Sequence, residues 1–107
     1  MEENTSETMS EHLFRNLAET AAGMDSDDFE DRFIAEYVQL KYRIDKLRKT
    51  TAAIRATECY EYVNLPKIKH DCPLTMLENQ LHHMEKYLEI MEQRAYCEGI
   101  MLPKVAV

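Results

Sequence analysis

Two stretches of the chain decide its fold: FIAEYVQLKYRIDKLRKTTAAI at residues 33–54 and LTMLENQLHHMEKYLEIMEQRA at residues 74–95. In each stretch, apolar residues recur at alternating intervals of three and four, the heptad spacing of a coiled-coil seam. The first seam has one polar member, Thr51, and otherwise consists of Phe33, Tyr37, Leu40, Ile44, Leu47 and Ile54. The second consists of Leu74, Leu77, Leu81, Met84, Leu88, Met91 and Ala95. The spacing predicts two long helices, over about residues 28–55 and 73–98.

The two seams match best when the helices run in opposite directions. Phe33 then lies opposite Ala95 and Ile54 opposite Leu74, with no gap between. The charges that flank the seams agree, because three cations at e positions would face three anions: Lys41, Arg48 and Arg55 against Glu92, Glu85 and Glu78. At g, Glu36 would face Arg94. Each exposed pair contributes only about 0–1 kcal/mol, so the pattern sets orientation more than stability.

These observations predict an all-α fold, an antiparallel two-helix coiled-coil hairpin with a short N-terminal helix, assembled as a homo-oligomer. Residues 1–25 form an acidic N-terminal segment with a short helix from about Thr8 to Ala22, ended by Gly23. Residues 26–99 form the hairpin, with Asp27 as the cap of its first helix, a loop over 56–72, and Asp71 as the cap before Pro73. Residues 100–107 form an apolar tail.

Charge is distributed unevenly along the 107 residues. The formal net charge is −7. Residues 1–31 carry ten acids and one base, whereas residues 32–107 carry ten acids and twelve bases. The average therefore hides a basic stretch: Lys41, Arg43, Lys46, Arg48, Lys49 and Arg55. This stretch is either a solvated helix face or a face that binds anions.

The chain is expected to act in a reducing cytoplasm. Its three cysteines are an odd number, which favours free thiols. The segment Met1 to Ser10 is acidic and polar, unlike a secretory leader. No apolar run approaches the roughly 20 residues that a membrane span needs, so no membrane contact is expected.

The sequence contains no catalytic or cofactor motif. Two glycines cannot build a phosphate-binding loop, and no H-E-x-x-H occurs. Cys59, His70, Cys72 and His83 invite a zinc interpretation, but they lack C-x-x-C spacing. We therefore expect no metal, no cofactor and no enzymatic activity.

A set of polar and aromatic residues at g positions is the best candidate for binding. Tyr87 offers an aromatic surface, Gln80 an amide, and Arg43 and Arg94 two planar guanidinium groups. Lys46 and Lys49 extend the set. In a symmetric oligomer these residues would hold a nucleotide or a phosphate. In the alternative interpretation, Tyr87 and Gln80 pack a helix interface and the arginines pair with Glu36 or Glu89.

The two helices resemble a family of short phage-encoded helical-hairpin proteins of unknown function, found in crAss-like and other tailed phages. The family pattern is E-x-x-x-L-x-x-[KR]-I-x-K-L, a variable loop, and L-L-x-x-Q-L-x-x-M-x-x-Y-L-x-[IV]-L-x-x-R. The first half occurs here from Glu36 to Leu47. The second occurs as Met76, Leu77, Gln80, Leu81, Met84, Tyr87, Leu88, Ile90, Met91 and Arg94. The resemblance implies a phage accessory protein in the cytoplasm of a bacterial host.

Besides a structural role in the virion, three functions are compatible with these features, and the first of them is the leading hypothesis. The first is host takeover or counter-defence by binding a host bacterial protein, favoured by the apolar tail and the acidic N-terminal segment. The second is an oligomeric sponge that sequesters a nucleotide signal. The third is nucleic-acid binding through the basic face of residues 41–55, which the acidic N-terminal segment opposes electrostatically.

Overall fold

The structure, a computed structural model, describes residues 17–59 and 71–105. These residues form three helices, α1 (Leu17–Met24), α2 (Phe29–Cys59) and α3 (Leu74–Glu98). All regular structure in the two described ranges is helical, which confirms the predicted all-α class. The first part of the predicted N-terminal helix, residues 8–16, lies outside these ranges, as do most of the predicted loop and the last two residues of the tail.

Helix α2 begins with a side-chain cap one residue later than predicted. The carboxylate of Asp28 accepts a hydrogen bond from the Asp31 backbone N–H at 3.2 Å. The Ser26 hydroxyl accepts one from the Asp28 N–H at 3.1 Å. The assignment of Asp27 as the cap was therefore wrong. Asp28 immediately precedes the first helical residue, Phe29, so its short side chain reaches the N–H three residues on, which has no intrahelical partner.

Of the other predicted helix ends, the end of α3 is confirmed, whereas the end of α2 and the cap of α3 differ from the prediction. Helix α2 continues to Cys59, so the predicted break at residue 56 was wrong; no proline or glycine follows Arg55 until Pro66. Before α3, Pro73 occupies the cap position and no side chain caps the helix, contrary to the role predicted for Asp71. The predicted stop at Gly99 is confirmed. This glycine adopts a left-handed φ of 71°, and its N–H donates to the Ala95 carbonyl.

Contacts between α2 and α3 pair residues in opposite numerical order. The Tyr37 hydroxyl donates to Glu92 at 3.2 Å, early in α2 and late in α3. Further along α2, Arg48 pairs with Glu85 and Arg55 with Glu78, which confirms two of the predicted charge pairs. The third differs because Glu92 accepts from Tyr37, and the Lys41 ammonium lies over the Tyr37 ring at 5.7 Å.

Helix α2 is the central helix, since α1 and α3 both pack against it. Ile34 and Val38, which lie off the predicted seam, are buried. Helix α1 contacts α2 at the buried Thr20, whose hydroxyl accepts a hydrogen bond from the Gln39 amide at 3.1 Å, and Gly23 is buried as well. Gly23 therefore lies inside α1 rather than ending it. Sequence periodicity alone could not assign this second buried face of α2 to a partner.

The apolar tail packs back onto the helices. Ile100 is buried in the core, and Leu102 and Val105 pack against it. Burial along α3 is consequently graded: Met91 and Ala95 are buried, whereas the earlier seam residues Leu74, Leu77, Leu81, Met84 and Leu88 are only half-buried. The core is concentrated at the end where the start of α2, the end of α3 and the tail meet. None of the described helices is both long enough and apolar enough to cross a membrane.

Candidate functional site

The predicted binding residues on α3 occupy one exposed face. Gln80, Tyr87 and Arg94 are spaced seven residues apart and all are exposed. Because seven residues complete nearly two helical turns, successive members of this series lie about 10 Å apart along the helix axis. Arg43 is also exposed, on α2.

Arg94 is held by an aromatic ring and a carboxylate from its own chain. Its guanidinium lies over the Phe33 ring, 4.9 Å from the ring centroid. Its Nε donates to the Glu98 carboxylate at 3.1 Å. The predicted pair with Glu36 is not formed, because Glu36 accepts a hydrogen bond from Tyr87 instead. Within residues 17–59 and 71–105, nothing accepts from the terminal nitrogens of Arg94, so this preoriented guanidinium keeps donors available for an anion.

Tyr87 is anchored at its hydroxyl and open at its ring. The hydroxyl donates to Glu36, and 44% of the residue is exposed. The hydrogen bond to Glu36 raises the pKa of Tyr87, burial and the charge of Glu36 add to the rise, and Arg94 opposes it. Tyr87 and Arg94 lie seven residues apart on the same face of α3. The ring offers a stacking surface whose orientation Glu36 fixes.

The remaining predicted residues are not gathered into this group. No hydrogen bond or ion pair among the described residues links Arg43, Gln80 or Lys46 to Tyr87 or Arg94. Lys49 pairs with Asp45 one turn earlier at 2.9 Å. All four are solvent-exposed. Among the described residues, Tyr87 and Arg94 are thus the two of the six predicted residues that contact side chains of the opposite long helix, Glu36 and Phe33.

Phe33 and Glu36 are members of the group that the sequence did not identify. Phe33 was assigned to the seam, where it is indeed buried, yet its ring also supports Arg94. Glu36 was assigned to Arg94. The heptad position could have predicted the contact between Glu36 and Tyr87, because both occupy g positions on the same side of the helix pair.

The two sides of the α2–α3 pair differ in charge neutralisation. On the e side, Arg48 and Arg55 meet glutamates of the opposite helix. On the g side, Arg94 meets a carboxylate only within its own helix, and Arg43 meets none in the described part of the chain. The g side is therefore the side with cationic groups left for a ligand. In the same described ranges, no three histidine, cysteine or acidic residues are grouped so as to hold a metal ion.

A comparison with protein families identifies the helical pair. The family model described as Sequestin matches residues 27–96. The chain belongs to the Sequestin family. The matched range contains α2 and nearly all of α3, including Phe33, Glu36, Tyr87 and Arg94, and excludes α1 and the apolar tail. No curated protein matches the chain, and neither does any solved structure.

Proposed function

We propose that this chain is a non-enzymatic sponge that sequesters a nucleotide signal. In this proposal it acts as a homo-oligomer of antiparallel coiled-coil hairpins in the cytoplasm of a phage-infected bacterium, where it serves counter-defence. The family name Sequestin supports sequestration as the activity. The resemblance to phage-encoded hairpin proteins supports the setting.

The observation that carries the proposal is that α2 orients both Tyr87 and Arg94 on the exposed g side, through Glu36 and Phe33. An aromatic ring can stack on a nucleobase, and a guanidinium can bind a phosphate through two parallel hydrogen bonds. Both groups are oriented by neighbours, Tyr87 by Glu36 and Arg94 by Phe33, so little side-chain freedom is lost on binding. A sponge needs only such binding groups.

The hairpin and the oligomer have separate support. The opposite numerical order of the Tyr37–Glu92, Arg48–Glu85 and Arg55–Glu78 contacts favours antiparallel helices. Oligomerisation is favoured by exposed apolar residues on α3, among them Met76 and Ile90, which are 60% and 53% exposed. Such side chains are more stable when covered.

Binding of a host protein is the second candidate. Tyr96 and Met101 are almost fully exposed at the end of α3 and the start of the tail. Exposed aromatic and methionine side chains are enriched where proteins contact one another. Nucleic-acid binding through residues 41–55 is less favoured, because Arg48, Lys49 and Arg55 already pair with carboxylates.

A ligand-binding experiment with a matched variant tests the proposal. The chain is titrated with a panel of adenine nucleotides and cyclic dinucleotides by thermal shift and calorimetry. Binding should raise the melting temperature. Arg94→Gln should weaken binding at least about tenfold, as expected for losing a charge-assisted hydrogen bond. Arg48→Gln is the control, because it removes an arginine of similar exposure from the e side.

A sponge must also release its ligand unchanged. After heat denaturation, chromatography should recover the bound nucleotide intact and in stoichiometric amount. Recovery of a converted product would contradict the non-enzymatic assignment. Failure of every nucleotide to bind, together with stoichiometric capture of one host protein, would replace the sponge by the second candidate.

A further inference from the structure

Helix α3 carries a second heptad pattern on an exposed face, where α2 reaches Tyr87 through Glu36 and Arg94 through Phe33. The inner seam faces α2. On another face, six exposed residues recur at intervals of three and four: Gln80, His83, Tyr87, Ile90, Arg94 and Cys97. These six residues are called the outer stripe below. The two residues at its centre, Tyr87 and Ile90, are aromatic and aliphatic, and they are adjacent along the stripe. Each is about half exposed.

We propose that the outer stripe packs against the same stripe of a second copy running antiparallel, and that this contact completes the ligand site; the ligand part rests on the proposed function. A heptad face is complementary to another helix with the same repeat, because each side chain fits between four residues of the facing helix. A second copy supplies that repeat by necessity. The antiparallel arrangement is two-fold symmetric, as most homodimer contacts are.

The residue types favour one register. In an antiparallel pair, the residue numbers of all facing positions add to the same value. In this register Tyr87 faces Ile90 of the partner subunit, His83 faces Arg94 of the partner subunit, and Gln80 faces Cys97 of the partner subunit. Each pairing occurs twice. The apolar pair then lies at the two-fold axis, and a neutral imidazole can accept a hydrogen bond from the guanidinium beside it. A parallel arrangement would instead place the two Arg94 side chains against each other, a like-charge contact in a desolvated seam.

This register would divide each ligand site between two chains. Arg94 lies opposite the partner's His83, so it is about 6 Å along the axis from the partner's Tyr87, but about 10 Å from its own Tyr87. The two Tyr87 rings lie on either side of the two-fold axis, about 4–5 Å apart along the helix axis. A nucleotide would therefore contact the aromatic ring of one copy and the guanidinium of the other.

Cross-linking through Cys97 tests the contact without any ligand. In a Cys59→Ser, Cys72→Ser background, Gln80→Cys should give a covalent dimer with a short bis-maleimide. His82→Cys should give at least about tenfold less, because that position points about 100° away from its neighbour on the stripe. A dimer formed by Cys97 alone would show the parallel arrangement and overturn the register. Monomeric mass in sedimentation, without cross-linking, would overturn the contact itself.

A second pair of variants keeps the result independent of folding. Ile90→Glu should weaken self-association at least about tenfold with unchanged helicity, because it places two carboxylates beside the axis. His82→Glu, which adds the same charge outside the stripe, should leave association unchanged. Equal effects of the two substitutions would contradict the proposal.

Subunit mixing tests the shared ligand site. Tyr87→Leu and Arg94→Gln should each weaken nucleotide binding at least about tenfold. After the two variants are mixed and refolded together, half of the dimers carry one intact site, which restores about one quarter of the wild-type sites. No restoration would place Tyr87 and Arg94 of one chain in one site and overturn the shared site. Absence of nucleotide binding by the wild-type chain would refute the proposed function while leaving the cross-linking result to decide the contact.

Discussion

Met91→Ala tests whether the seam of α3 holds the fold together. Met91 is 1% exposed and belongs to the same core as Phe33 and Tyr37. Replacing a fully buried methionine with alanine removes three heavy atoms and leaves a cavity, which costs about 2–5 kcal/mol. The whole domain is expected to be stable by only about 5–15 kcal/mol. A loss of about 3 kcal/mol would lower the melting temperature by about 12–24 °C.

The matched control is Met101→Ala. Met101 is 86% exposed, so the same substitution there should change the free energy of unfolding by less than about 0.5 kcal/mol. Both variants are compared with the parent by urea denaturation followed by circular dichroism, at equal protein concentration because self-association adds to stability. Equal losses in the two variants, or none at Met91, would refute the inward orientation of the α3 seam.

Three further substitutions test local features of the structure. Asp28→Ala should cost about 1 kcal/mol in urea denaturation, because it removes the cap of α2, whereas Asp27→Ala should cost almost nothing. Gly99→Ala should cost about 1 kcal/mol through its φ of 71° alone, since nothing lies within 4 Å of the added methyl group; Gly99→Asn should cost less. Tyr37 has a pKa raised to about 12, first by burial and then by the charge and hydrogen bond of Glu92. Since the unfolded chain loses this proton near pH 10, the contribution of Tyr37 is complete below pH 10 and falls between pH 10 and 12. Tyr37→Phe should make the loss of stability over that window shallower, and an identical alkaline profile for both proteins would contradict the assignment.

The long helices could be predicted because their signals are local and repeated. Heptad spacing located the core face of α2 and α3, and the pairs of Arg48 and Arg55 with glutamates followed from charge at flanking positions. The stop at Gly99 followed from the freedom of glycine at positive φ. Each of these features depends on residues within a few turns of one another or on a repeat that propagates a single register.

The contacts that lie outside the repeat could not be predicted in the same way. Arg94 has several acceptable partners within reach, and the choice of Phe33 and Glu98 over Glu36 depends on where Tyr87 places its hydroxyl. Periodicity does not encode that competition. Ile34 is likewise buried although it lies off the predicted seam.

The graded burial of α3 has a consequence for how the molecule opens. Backbone amides exchange with deuterium through local openings, and segments with few apolar contacts open at the lowest free energy. Residues near Leu74 and Leu77 are only half covered, whereas Met91 and Ala95 are sealed. The protection of backbone amides against deuterium exchange should therefore rise steadily from the first to the last turns of α3. The first turns of α3 would therefore separate from α2 in local openings, while its C-terminal turns stay folded and packed in the core.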